Sequence, residues 1–455
     1  MNLPHPPSNS PRVGLVSLGC PKNLVDSEVM AGLLRQAGFQ LTGSAQESDI
    51  VIVNTCAFIH PAIAEAKVTI REMAALKDRG SCRLLIVTGC LPQREGKALL
   101  RQFPQVDALL GAGEFPRIVP LIESFLQAPC DRPPLAVSPR PTYLYDHTTP
   151  RLLSTPPWTA YLKLAEGCNH RCSFCTVPSL RGRLRSREPA SVLEEATQLA
   201  RLGVKEINLV AQDTTAFGLD RSRRSELPSL LRGLARIEGI RWVRLLYCFP
   251  SGISSELIEA IASGPTICHY LDIPFQHSHR EILRAMRRPG NGERYLRLIE
   301  KLRRQIPDIA LRTSLIVGFP GESEAHFQHL LAFVEAAQLD RVGAFPYWRE
   351  AGTPAAGLAH QVPPELARER LHQLLTLQRK ICRRRNRLWL GRKIEVLVEE
   401  TRANGTAVGR CWRDAPEIDG VVYLSGSGGA VPPPGSFVRA TVTRALSYDL
   451  HARCN

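Results

Sequence analysis

Residues 159–175 read TAYLKLAEGCNHRCSFC, a short apolar run followed at once by a tight loop that carries thiols at Cys168, Cys172 and Cys175. The apolar half has strand character, and five further runs of the same kind follow it: EINLVAQ, WVRLLYC, YLDIPF, ALRTSLIVG and DRVGAFPY. Helical sequence separates each run from the next. Six such units predict an incomplete (βα)6 barrel of TIM-like type, in which active-site groups gather at the C-terminal ends of the strands. The three thiols sit at such an end. Three thiolates on one loop suit three irons of a 4Fe-4S cube and leave the fourth iron open, as a catalytic metal requires. A structural zinc knuckle is the competing reading, but the spacing lacks the second ligand pair that such a site uses.

Working back from this loop, residues 13–121 alternate apolar runs (VGLVSLG, DIVIVNT, RLLIVTG, VDALLG) with amphipathic segments such as VDSEVMAGLLRQAG. That alternation predicts an open parallel α/β sheet with crossover helices. Cys20, Cys56 and Cys90 directly follow three of the runs. In a parallel sheet those ends share one edge, where ligands of open α/β folds bind. A single cysteine of this kind is ordinary core, but three at equivalent positions point to one shared site. Cys82, Cys130, Cys248, Cys268, Cys382, Cys411 and Cys454 share no spacing and read as ordinary thiols.

A proline-rich stretch near residues 127–153 reads as a linker. Beyond the barrel and a basic helix, KIEVLVEE, TAVGR, GVVYLSG and SFVRATVTRAL predict a small antiparallel β-barrel. The expected division is therefore 11–126, 127–153, 154–380 and 381–450. The length of 455 residues accommodates several cores. The opening MNLPHPPSNSPR has no apolar signal run, and no stretch approaches the ~20 apolar residues of a membrane span, so a cytoplasmic, membrane-free protein is expected. Thirteen cysteines, an odd number, fit metal binding better than a disulfide framework in that compartment. The net charge of +15 suggests an encounter with a polyanion such as RNA or a ribosome, or simply a basic surface.

The CxxxCxxC spacing, with Phe174 before the last cysteine, resembles the signature of the radical S-adenosylmethionine superfamily. With the upstream cysteines and the β tail, nearly the whole chain looks like the methylthiotransferases of that superfamily, whose last domain is a TRAM domain. The resemblance implies two 4Fe-4S clusters: one on Cys168, Cys172 and Cys175, with Phe174 beside the cofactor, and an auxiliary one on Cys20, Cys56 and Cys90. It also implies that S-adenosyl-L-methionine serves as methyl donor and as source of a 5′-deoxyadenosyl radical. GCPKNLVDSE (19–28), IPFQHS (273–278) and RDAPEIDG (413–420) are similar to the branch acting on an aspartate β-carbon of small-subunit ribosomal protein S-twelve. The other branch modifies an adenosine in tRNA and remains the alternative. An electron donor such as flavodoxin or ferredoxin is implied; the sulfur donor is unknown.

Charge bears on the choice between branches. Residues 391–450 hold seven Lys plus Arg and seven Asp plus Glu, so the tail barrel has no surplus for gripping RNA, and no direct tRNA binding is expected. Asp414, Glu417 and Asp419 form an acidic loop that could receive a basic protein surface. The basic runs RGRLRSR (181–187) and RKICRRRNR (379–387) read either as solvated faces or as surfaces for approaching the ribosome. Gln212, Asp213, Gln276, His277 and Arg312 are possible contacts in the cofactor pocket. A third class of reading, a ribosome-binding protein with purely structural clusters, predicts no cleavage of S-adenosylmethionine.

Overall fold

The apolar runs of the first domain form strands β1 (Arg12–Ser17), β2 (Gln40–Thr42), β3 (Ile50–Thr55), β4 (Leu84–Gly89) and β5 (Ala108–Gly111). They pair in parallel in the order β2-β1-β3-β4-β5. The structure is a computed structural model that describes residues 10–80, 82–128, 134–402, 405–426 and 432–454; Cys130 lies outside them. β3 and β4 are buried along their whole length, as central parallel strands covered on both faces must be. Their side chains alternate between two cores: Ile50, Ile52, Leu84 and Ile86 pack with helix Pro21–Gln36, whereas Val51, Val53, Leu85 and Val87 pack with helix His60–Arg79. The proline-rich stretch also adds a short edge strand, β6 (Leu135–Ala136), beside β5. It is held further on by Arg151, which lies 2.6 Å from Glu28 and 2.7 Å from Glu195.

The second domain contains β7 (Thr159–Lys163), the two-residue ladder β8 (Ala165–Glu166) and β9 (Arg185–Ser186), then β10 (Glu206–Val210), β11 (Trp242–Leu245), β12 (Ile267–Asp272), β13 (Ala310–Val317) and β14 (Arg341–Pro346). The six long strands form a parallel sheet in the order β14-β13-β12-β11-β10-β7. β7 and β14 stay unpaired with each other, so the barrel is incomplete, as expected. The ladder of β8 and β9 closes the base of the loop that carries Cys168, Cys172 and Cys175.

Helix Pro364–Arg387 leads into β15 (Lys393–Thr401), β16 (Thr406–Cys411), β17 (Val422–Ser425), β18 (Phe437–Ala445) and β19 (Leu450–Cys454), which close a barrel in the order β15-β16-β17-β19-β18. β19 was not among the predicted runs. It pairs antiparallel with β18 but parallel with β17. The acidic loop is not a receiving surface. Asp414 is buried and lies 2.5 Å from Arg341, while Asp419 accepts from the Tyr270 hydroxyl at 2.7 Å and lies 3.5 Å from Arg312. These carboxylates fasten the small barrel onto β12, β13 and β14; only Glu417 of the three is exposed.

The basic runs divide in the same way. Arg181 and Arg187 are buried and paired, whereas Arg379, Lys380, Arg383, Arg384 and Arg387 line one exposed face of their helix. Among the described residues no helix is long and apolar enough to cross a membrane.

Candidate active site

Each cysteine of the first triad is aimed by the turn that precedes it. Gly19 has φ +92°, and a Cβ there would lie 2.4 Å from the Cβ of Cys56, so glycine is what lets the two thiol-bearing turns touch. Cys20 then caps helix Pro21–Gln36, its carbonyl accepting from the Asn23 and Leu24 amides. Cys90 opens helix Cys90–Glu95 directly after β4, and Cys56 leaves the end of β3. The three thiols lie within one another's electrostatic field, since Cys20 and Cys90 both raise the pKa of Cys56.

The charges around them are uneven. Burial pushes the Cys20 thiol up, but Lys22 and Arg181 outweigh it and hold the group below its ordinary value. Cys56 is pushed up to about 12, by burial first and then by its two neighbours. Cys90 is also raised by burial, against the pull of Arg181. Cys20, at a helix N-terminus between two cations, is therefore the thiol readiest to ionise.

The second triad lies on the β8–β9 loop. The Cys168 amide donates to the Gly182 carbonyl at 3.1 Å, and its sulfur accepts from the His170 amide at 3.4 Å. Burial raises Cys168 to about 11 and Cys175 to about 12. Arg288 Nη1 donates to the Cys172 sulfur at 3.5 Å while its guanidinium lies 4.2 Å above the Phe249 ring. His170 stacks on the same Phe249 ring, with the centroids 3.8 Å apart, and its Nε2 lies 2.7 Å from Asp213. Phe174 is half-buried against the barrel core. Gly167, at φ +79°, has no space for a side chain: a Cβ would lie 2.1 Å from the Arg183 carbonyl oxygen. Gly167→Ala is expected to destabilise the loop by at least the ~1–3 kcal/mol of a strained backbone position and to lower iron retention. Iron content after anaerobic reconstitution checks this; wild-type retention would rule it out.

In neither triad do all three sulfurs lie within 4.8 Å of one another, a separation met among the described residues only by His279, Glu281 and His326. One zinc ion with bonds of 2.3 Å holds its sulfurs roughly 3.8 Å apart. At least one sulfur pair in each triad is thus wider than a single zinc ion allows, whereas a cube whose irons each take one cysteine needs no such close approach.

A short helix joins the two triads. Helix Val177–Arg181 begins two residues after Cys175, and Leu180 packs in the same core as Cys90 and Ala57. Thr176 Oγ1 donates to the Phe58 carbonyl at 3.3 Å. Arg181, buried, lies 2.7 Å from Asp26 and 3.4 Å from Glu166 and also donates to Asn23 Oδ1. Lys163 pairs with Asp26 and, at 2.9 Å, with Glu166, which Gln212 contacts at 2.5 Å. Asn23 donates to the Leu18 and Thr55 carbonyls, and Lys22 stands 3.3 Å above the Tyr247 ring. Glu350 adds a further tie, accepting from Arg94 and from the His60 amide. This buried network between the first two domains was not foreseen from the sequence.

Of the five other possible pocket contacts, Gln212 and Asp213 lie in this region and Gln276 sits at the end of β12 with φ +71°. His277 is engaged by its own neighbours. It is fully buried, with Nδ1 accepting from the His279 amide and Nε2 3.3 Å from Glu322. Arg312 is at the opposite end of its strand, paired with Asp272 and Asp419.

The chain matches the models of three families: Uncharacterized protein family UPF0004 over residues 12–111, the Radical SAM superfamily over residues 162–334 and the TRAM domain over residues 390–454. It is 48% identical to the ribosomal protein uS12 methylthiotransferase RimO of Desulforamulus reducens, over 97% of this chain and 98% of the relative. To the protein of the same name from Geobacter sulfurreducens it is 47% identical, over 96% and 97% of the two chains. Among solved structures it resembles the radical S-adenosylmethionine methyltransferase TsrM from Kitasatospora setae, with a TM-score of 0.58, 19% identity and 76% and 77% of the chains covered. That likeness concerns the fold. Identity of this level along nearly the whole length of the relatives, with the three domains in the same order, means that the chain belongs to the RimO family of ribosomal protein uS12 methylthiotransferases.

Proposed function

We propose that the chain attaches a methylthio group to the β-carbon of an aspartate in ribosomal protein uS12. In this reading Cys168, Cys172 and Cys175 hold the 4Fe-4S cluster that binds S-adenosyl-L-methionine, beside Phe174, and Cys20, Cys56 and Cys90 hold a second one. The observation that carries it is the helix Val177–Arg181, which leaves one triad and packs against the helix that begins at Cys90. When bound, these groups supply hydrogen-atom abstraction at one site and a methylated sulfur at the other, chemistry that no side chain provides at an unactivated carbon.

The chain's own residues set the geometry. Arg181 and Lys163 neutralise Asp26 and Glu166 in a buried seam, which fixes the distance between the triads and keeps bulk water out. Lys22 and Arg181 favour the Cys20 thiolate, the ionised form that a cluster requires. We propose the division 11–126, 127–153, 154–380 and 381–450 for the domains, and a carrier such as flavodoxin or ferredoxin as electron donor.

Mass spectrometry of uS12 and of tRNA nucleosides, from cells with and without the gene, tests the substrate. The expected result is loss of the methylthio mass from a uS12 aspartate with tRNA unchanged. Loss confined to tRNA would overturn the reading. Arg181→Met, which leaves two buried carboxylates, Asp26 and Glu166, to share the single cation Lys163, is expected to lower stability by about 3–5 kcal/mol. Anaerobic chemical denaturation checks it, and a change under 1 kcal/mol, on the order of a surface substitution, would refute it.

A further inference from the structure

Beside the radical-domain triad lies a cavity of about 390 Å³ lined by Arg280, Arg284, Arg288, Pro289, Gly290, Asn291 and Arg294. Four of its seven lining residues are arginines and none is a carboxylate. Arg280, Arg284 and Arg294 are exposed and have no ion-pair partner among the described residues. Such a concentration of like charge is unfavourable until an anionic surface neutralises it.

The fourth arginine connects this cavity to the chemistry. Arg288 is 8% exposed, its Nη1 touches the Cys172 sulfur at 3.5 Å, its Nη2 donates to the Pro274 carbonyl at 2.5 Å, and its buried Nε has no hydrogen-bond partner. The two sides of the cysteine loop thus differ. Thr176 and Leu180, following Cys175, are covered by the first domain. Cys172 instead touches Arg288, which lines a cavity to which the first domain contributes no residue. An external reductant has to approach the cluster from a side that the first domain leaves open.

We propose that this arginine-lined cavity is the docking site for an acidic, low-potential one-electron carrier protein that reduces the cluster on Cys168, Cys172 and Cys175. The inference rests on the proposed cluster assignment. One electron leaves the carrier and enters the cluster; no bond forms or breaks in this step. Arg280, Arg284 and Arg294 meet carboxylates of the carrier, and Arg288 marks the short route to the Cys172 sulfur.

The test is an anaerobic calorimetric titration of the cluster-loaded protein with flavodoxin and, separately, with an acidic 2Fe-2S ferredoxin. At least one carrier is expected to bind, with affinity falling as salt rises. Arg284→Glu combined with Arg294→Glu is expected to weaken binding by at least about tenfold. Iron content and the reduced-cluster signal with dithionite verify that the variant is intact. Equal binding by wild type and variant, or no binding of either carrier to wild type, overturns the proposal. So does a variant that keeps the carrier but loses affinity for small ribosomal subunits, which would assign the patch to RNA. If the dithionite-reduced wild type leaves uS12 unmodified while the carrier still binds as described, the methylthiotransfer reading fails and the docking site stands.

Discussion

Replacing Cys172 by alanine is expected to reduce cleavage of S-adenosylmethionine below detection while leaving a cluster on Cys20, Cys56 and Cys90. The first half follows from the ligand count: a loop with two thiolates leaves a second iron without its cysteine. The same change leaves the buried Arg288 guanidinium with only the Pro274 carbonyl and the Phe249 ring. The second half follows from how the other triad is held. Its turns are fixed by Gly19 against Cys56, by Asn23 bonding to the Leu18 and Thr55 carbonyls, and by Arg181, none of which involves Cys172. Cys56→Ala is expected to give the converse result, with cleavage of S-adenosylmethionine retained and no methylthio product formed. Iron analysis, electron paramagnetic resonance and product chromatography on the two variants check the pair. Cleavage by the Cys172 variant, or loss of both clusters in either one, contradicts two independently held sites.

Glu206→Ala is expected to cost about 3–5 kcal/mol and to loosen the C-terminal barrel, although it lies away from both triads. Glu206 is fully buried; its carboxylate accepts from Arg410 at 2.6 and 3.0 Å, from Arg244 at 3.1 Å and from the Thr159 hydroxyl at 2.8 Å. Removing it leaves Arg244 of the radical domain without a carboxylate, bonded to the Trp412 carbonyl, and Arg410 of the small barrel with only Glu399 as its ion-pair partner. Anaerobic denaturation, with limited proteolysis to see whether the small barrel is released first, measures this. A change of the size typical for surface positions would contradict the role given to the pair.

Acid should reproduce part of that effect. Burial alone would raise the Glu206 carboxyl, but Arg410, then Arg244 and Thr159, hold it at about 2. Its folded value is thus below the ordinary 4.5, so the stabilisation is fully present above about pH 4.5 and is lost as pH falls toward 2. Glu166, held at about 2 against burial by Lys163 and Arg181, titrates in the same window and weakens the seam between the first two domains. The Glu206→Gln protein should show a smaller loss of stability between pH 5 and 3 than the wild type, and an equal loss would point to other carboxylates.

The acidic loop shows why charge read along a chain misleads. Asp414 and Asp419 are close to Glu417 in sequence and suggested a receiving surface, but each has an arginine partner some 70 to 110 residues earlier, in buried Arg341 and half-buried Arg312. Local composition contains no record of such pairings. One signal for the seam was nonetheless present. Helix Pro21–Gln36 buries Asn23, Asp26, Ser27 and Glu28 where an amphipathic helix would place apolar residues, and polar groups on a core-facing side imply partners elsewhere in the fold.

The sequence by itself determined the order of the domains, the α/β character of the first two and the placement of six cysteines at strand ends. Period and spacing are properties of neighbouring residues, and a parallel sheet brings its strand ends to one edge whatever else the chain does. Only the tertiary structure decided that the helix leaving one cysteine group packs into the core that holds Cys90 of the other. Lys163 and Arg181 meet Asp26 across 137 and 155 residues, so their pairing exists only once both domains have folded and packed together. The same holds for the arginines that line the cavity beside Cys172, which come from two helices, Arg280–Ala285 and Gly292–Gln305, and from Arg288 on the segment between them.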